Sequence, residues 1–174
     1  MTHDRSTFRV RLVADGPLAL PLKDTRGEER ELGFPEMPTD GLIEENVLNA
    51  FATAMDLVLI NGRAPFSRKI LDPQNLLQVR RFVKITPDFI RFEAGFIVTK
   101  DVYIAAERGV RVPTEFNRID DWKCVCEISF DTSYVGVRQG YLMNVLSQLG
   151  GIVGIGIMTP HVMGTFGRFT YRML

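Results

Sequence analysis

Six of the eighteen positions from 150 to 167 are glycine, in the run GGIVGIGIMTPHVMGTFG, and a short RFTYRML segment follows. Glycine costs roughly 0.5–1 kcal/mol relative to alanine inside regular structure, so such density needs a physical reason. Three are available: cradling a phosphate, close packing of backbone on backbone, or a mobile loop. The spacing GIVGIG runs G-x-x-G-x-G, the reverse of the dinucleotide-binding order. It follows a helical pattern, whereas a phosphate cradle follows a strand and opens a helix. Phosphate cradling therefore fails on context, and tight packing is the better account. Gly150 or Gly151 is expected to supply the left-handed cap of the preceding helix. Gly154 and Gly156 let the returning chain pass close to a sheet, and Gly164 and Gly167 turn it into the last strand.

The rest of the chain supplies that helix and sheet. FRVRLVA, residues 8–14, alternates Phe8, Val10 and Leu12 with Arg9 and Arg11, the signature of a half-buried strand. Thr39 or Asp40 offers an N-cap for a helix running to about Met55, with Glu44 and Glu45 near its start. Residues 88–98 read as strand, and DVYIAAERGVRVPTEF continues in extended form. WKCVCEISFD alternates cleanly as a central strand. VRQGYLMNVLSQLGG is an amphipathic helix with Tyr141, Leu142, Val145 and Leu149 facing inward. The order is strand, helix, strands, helix, strand. That is expected of an α+β protein with a ferredoxin-like (RRM-like) core and an elaborated middle insertion. One domain spans 1–174, with an inserted basic excursion at about 57–87 and a short helix in it after Asp72-Pro73.

Composition narrows the function. Hydrophobic residues make up 45% and charged residues 24% of 174 positions, which is ordinary for a chain that buries its own core. Lys plus Arg equals Asp plus Glu at 21 each, so any nucleic-acid contact must come from a local patch rather than the overall charge. Cys124 and Cys126 lie two apart on one strand, too parallel for an easy disulfide, and read as small buried side chains. Free thiols without a secretory signal, and no apolar run long enough to span a bilayer, lead to the expectation of a cytoplasmic protein with no membrane partner.

The catalytic motifs G-x-S-x-G, H-E-x-x-H and G-x-x-x-x-G-K-[ST] are absent. His161 stands alone beside a proline and reads as a loop residue. Asp120, Asp121 and Asp131 read as solvated loop carboxylates. No catalytic residue, metal or cofactor is assigned, and the chain is expected not to be an enzyme. Basic residues in strands carry more. Arg9, Arg11, Lys123 and Arg168 lie in or beside strands, as do Arg91 and Arg172, and Arg108 and Arg111 frame Gly109. Arg168 stands between Phe166 and Phe169, interleaving cation and ring as single-strand binders do, with rings stacking bases and arginines tracking phosphates. Arg9, Arg11, Arg108, Arg111, Lys123 and Arg168 are thus the candidate contacts to single-stranded RNA or DNA. The alternative is a protein-interaction or structural assembly module using the apolar loops PLALPL and GIGIM.

Two resemblances bear on this. The segment RVPTEFNRIDDWKCVCEISFD, a helix, and then GGIVGIGIMTPHVMGTFGRFTYRML resemble a family of phage and prophage proteins, at Trp122, Gly154, Gly156, Pro160, Gly167, Arg168 and Phe169. Thr159 and Ile157 stand where that family carries charge, and HVMGT is extra. The glycine-rich turn before a final strand, on a ferredoxin-like frame, also resembles the RAMP superfamily of CRISPR effector subunits. That resemblance implies a non-catalytic nucleic-acid-binding subunit that self-associates or joins a larger assembly. It makes Arg9, Arg11, Arg108, Arg111 and Arg168 phosphate contacts, and the excursion a thumb-like or subunit-contacting element.

Overall fold

The computed structural model describes residues 5–24, 33–58, 80–81, 83–131 and 139–174. Most of the 57–87 excursion, with its expected helix after Pro73, lies outside them. The described part is mixed α and β, organised by a four-stranded antiparallel sheet in the order β4-β8-β1-β9. Its members are β1 (Arg5–Ala14), β4 (Val83–Thr86), β8 (Lys123–Asp131) and β9 (Phe169–Met173). Apolar and polar side chains alternate along β1 and β8, so one face carries Val10, Leu12, Cys124, Cys126, Ile128 and Phe130, all buried. The helices α1 (Glu44–Leu57) and α2 (Gln139–Gln148) contribute the matching apolar stripes. Val47, Leu48, Phe51, Leu142, Val145 and Leu146 join the strand residues in one core, with the Phe51 and Phe130 rings 5.6 Å apart. Among the described residues no helix covers the opposite face of the sheet.

Three smaller strands differ from expectation. PLALPL was expected as a loop. Instead β2 (Leu18–Pro21) pairs with β7 (Val110–Asp120), and Leu18, Ala19 and Leu20 are buried, so this segment is core rather than a free interface. Asp40 and Thr39 do not cap α1, because β3 (Gly41–Ile43) intervenes and pairs with β5 (Phe89–Arg91). Ile43 holds the N-cap position without a side-chain hydrogen bond. The acids of the first turn instead hold Arg80, whose guanidinium lies 2.7 Å from Glu44 and 3.5 Å from Glu45. The strand expected over 88–98 is broken, since residues 94–95 form a turn with Gly95 at φ +106°.

Beyond that turn, β6 (Ile97–Glu107) and β7 (Val110–Asp120) form a long hairpin, with β2 on the far side of β7. β2 reaches only Phe116–Ile119. The rest of the hairpin projects as a two-stranded arm. At its tip Arg108 and Gly109 have φ of +48° and +79°, the twist that a two-residue type I′ turn requires.

The glycine-rich segment packs as expected in kind but not in detail. α2 runs on into a π-helical turn, Leu149–Val153, so neither Gly150 nor Gly151 is the cap. Gly154 is, at φ +77°, with its N–H donating to the Leu149 carbonyl at 2.7 Å. The chain then crosses β2, where the Ile157 N–H donates to the Ala19 carbonyl at 3.0 Å, before entering β9.

Candidate nucleic-acid interface

The open face of the sheet is built by register. Arg9 lies opposite Glu127, Arg11 between Val125 and Arg172, and Val13 between Lys123 and Thr170. On the β4 side Lys84 faces Ser129 and Thr86 faces Glu127. Alternation therefore brings Arg9, Arg11, Lys84, Lys123 and Arg172 to one surface. A cleft of about 360 Å³ lined by Arg9, Thr86, Val125 and Glu127 opens on it.

These cations are not equivalent. Arg11 is half-buried, and its Nη2 donates to Glu93 Oε1 at 3.0 Å, so much of its charge is already answered. Among the described residues Arg9, Lys84, Lys123 and Arg172 make no ion pair. Four cations without an ion pair among the described residues, with Glu127 in register opposite Arg9, give this face a positive excess that the balanced total charge conceals.

The other candidates fall elsewhere. Arg168 precedes β9, is exposed, and donates from Nη2 to the Gly151 carbonyl at 3.3 Å. Arg108 and Arg111 sit at the tip of the hairpin arm, exposed and without ion pairs among the described residues. Closer to the body Arg118 is held by Asp120 at 3.2 Å, and this hydrogen bond raises its pKa further. The six predicted contacts thus form two groups, one on or beside the sheet and one on the arm. Sequence reading noted Arg172 as a strand cation without choosing it, and it missed Lys84, whose strand of four residues is too short to show its alternation.

The stacking platform does not form. Phe169 is buried opposite Ala14, with its ring 6.0 Å from that of Trp122. Phe166 packs edge-on against Phe116 at 5.5 Å. Phe169 belongs to the core and Phe166 is half-buried against Phe116, and no aromatic side chain lies on the open face among the described residues. What the face can do is hold phosphates, not stack bases.

Among the described residues no group of three His, Cys, Asp or Glu side chains is placed to hold a metal ion. Cys124 and Cys126 are buried, and burial pushes both thiols up, Cys126 to about 12. No helix among the described residues is long and apolar enough to cross a membrane.

Comparison with known proteins places the fold. The chain superposes on one chain of a cryo-EM structure of the type III-B Cmr-beta bound to cognate target RNA. The TM-score is 0.54 at 12% identity, covering 97% of this chain but 59% of that one. It also matches the crystal structure of Cmr6 from Pyrococcus furiosus, with a TM-score of 0.50, 12% identity, and 97% and 99% coverage. At such identity the likeness shows a shared fold, and it agrees with the RAMP resemblance at that level. No protein-family model matches the chain, and no curated protein does. The phage-protein resemblance therefore finds no support in these comparisons.

Proposed function

We propose that this protein is a non-catalytic subunit that binds single-stranded RNA or DNA through the open face of a ferredoxin-like sheet. The order β9-β1-β8-β4, with α1 and α2 on one face, supports the ferredoxin-like reading. The observation that carries the functional reading is the set Arg9, Lys84, Lys123 and Arg172 on a face that no described helix covers. The fold likeness to a chain of an RNA-bound assembly supports it, as does the exposed pair Arg108 and Arg111 on the arm. Arg168 adds a further cation beside the sheet, and Arg11 contributes less because Glu93 holds it.

Fluorescence anisotropy with labelled single-stranded RNA and DNA across a salt series tests this. A face that engages about four phosphates gives a slope of log K against log salt near −3, at roughly −0.7 per phosphate. Arg9→Ala and Arg172→Ala should each flatten the slope by about 0.7. Binding that is absent at low salt, or indifferent to these substitutions, would overturn the proposal.

A second reading, self-association or assembly with other proteins, rests on the arm. Ile97, Val102, Ile104 and Val110 are exposed along it, more apolar surface than a solvated ribbon needs. Light scattering that gives a defined oligomer, lost when Ile104 and Val110 become threonine, supports it. A monomer at all concentrations argues against self-association.

A further inference from the structure

β6 is the outer strand of its sheet, and among the described residues no strand pairs with its far edge. The two-residue turn at Arg108-Gly109 makes Glu107 and Val110 a hydrogen-bonded pair, which sets the phase of the whole ladder. Odd-numbered positions of β6 therefore direct N–H and C=O towards β7. Even-numbered positions, from Val98 to Ala106, direct theirs outward. An edge of eleven residues without proline or glycine is a template for pairing with another chain. Ile97, Val102 and Ile104 are each more than half exposed, so a second strand would gain apolar contact along with hydrogen bonds. The strand of matching length and pattern is β6 of a second copy. Antiparallel pairing about a twofold axis would set each outward donor of one copy against an outward acceptor of the other.

Near the middle of this edge one donor is already taken. The Val102 N–H donates to Asp101 Oδ1 at 2.8 Å. The other carboxylate oxygen, Oδ2, lies 3.9 Å from Arg118 Nη1 on β7, and Arg118 is itself held by Asp120 at 3.2 Å. The Asp101 side chain is thus steadied from within the hairpin while it covers the outward amide of its neighbour. A strand approaching here must displace the carboxylate from that amide. It must also bring its own carbonyl oxygen against a negative charge.

We propose that Asp101 is a guard on the β6 edge, which keeps the arm from pairing with β6 of a second copy. An arm kept single leaves Arg108 and Arg111 exposed at its tip. The guard acts on the backbone edge, and it depends neither on the basic sheet face nor on association through the apolar side chains of the arm.

Amide exchange and light scattering on the full chain test this. In the wild-type chain the Val102 N–H should exchange more slowly than those of Lys100 and Ile104, which face the same way without a carboxylate over them. Asp101→Ala should remove that difference and raise the weight-average mass about twofold over wild type at equal concentration, the step from one copy to a symmetric pair. Adding Val102→Pro to Asp101→Ala should restore the wild-type mass, because proline removes an outward donor that β7 does not use. Exchange at Val102 as fast as at Lys100 and Ile104, or a mass that Asp101→Ala leaves unchanged, overturns the proposal. So does a rise in mass that survives Val102→Pro, since unfolding or side-chain contact would then be its cause. An oligomeric wild type with the Lys100, Val102 and Ile104 amides all protected would show the edge already paired. That result overturns the guard while self-association through the arm stands.

Discussion

Gly167 and Gly151 belong to the same glycine-rich segment and answer to different constraints. Gly167 has a φ of +78°, and a Cβ there would meet the Ile155 carbonyl. Gly151 sits in the π-helical turn, and a Cβ there would meet nothing within 4 Å. Gly167→Ala is expected to cost about 2 kcal/mol or more, the left-handed penalty with a steric clash added. Gly151→Ala is expected to add up to about 1 kcal/mol by restricting the unfolded chain. Urea midpoints at unchanged m-value measure both. The buried thiols make a prediction of opposite kind. The folded pKa of Cys126 is raised from 9.0 to about 12 by burial, and Cys124 is raised for the same reason. The neutral thiol is the folded form, so its contribution is complete below pH 9.0 and is lost as pH rises from there towards 12. Stability should fall on the order of 5 kcal/mol by pH 11, about 1.4 kcal/mol per pH unit for each of the two thiols, and Cys124→Ala with Cys126→Ala should flatten that decline.

Among the elements, the hairpin arm can be separated from the body. Among the described residues its outer half pairs only with itself, and Tyr103 against Phe116, with rings 5.8 Å apart, marks where the core ends. Replacing residues 104–113 with Asn-Gly should leave the thermal midpoint within a few degrees, because none of the side chains described there is buried. The same change should reduce the salt slope of oligonucleotide binding by about 1.4, through loss of Arg108 and Arg111. A collapse of the fold would show that the arm is structural instead. This element also shows where sequence patterns stop being informative. β1, β8 and α2 were legible because each carries an unbroken period of burial. The arm was read as continuous extended chain, since Arg-Gly is a weak signal for a type I′ turn that Asn-Gly announces clearly. β2 and β3 were invisible for another reason. Leu18–Pro21 and Gly41–Ile43 are strands only because distant partners, β7 and β5, pair with them. The interface was legible in part. Alternation placed Arg9 and Arg11 on one face, but only the strand register could bring Lys84 and Arg172 beside them. The aromatic half of the expected site was misplaced because Phe166 and Phe169 take their burial from Phe116 and Trp122, far away in sequence.

At the scale of the whole molecule, long-range pairing governs how the fold is reached. Thr7 of β1 bonds Ser129 of β8 across 122 positions, and β1 takes its other partner from β9. Non-local sheets of this kind fold in milliseconds to seconds rather than microseconds. Trp122, the only tryptophan and fully buried, reports the event. Its emission in refolding should develop on that slow scale as one phase, while submillisecond recovery would contradict the topology. The placement of β1 at the middle of its sheet also has a consequence for biosynthesis. β1 leaves the ribosome well before β8 and β9, and stands with both edges open and Val10 and Leu12 bare until those strands have been translated. The protein is therefore most prone to aggregate while it is being made, and slowing translation upstream of Trp122 should lower its soluble yield more than slowing it afterwards.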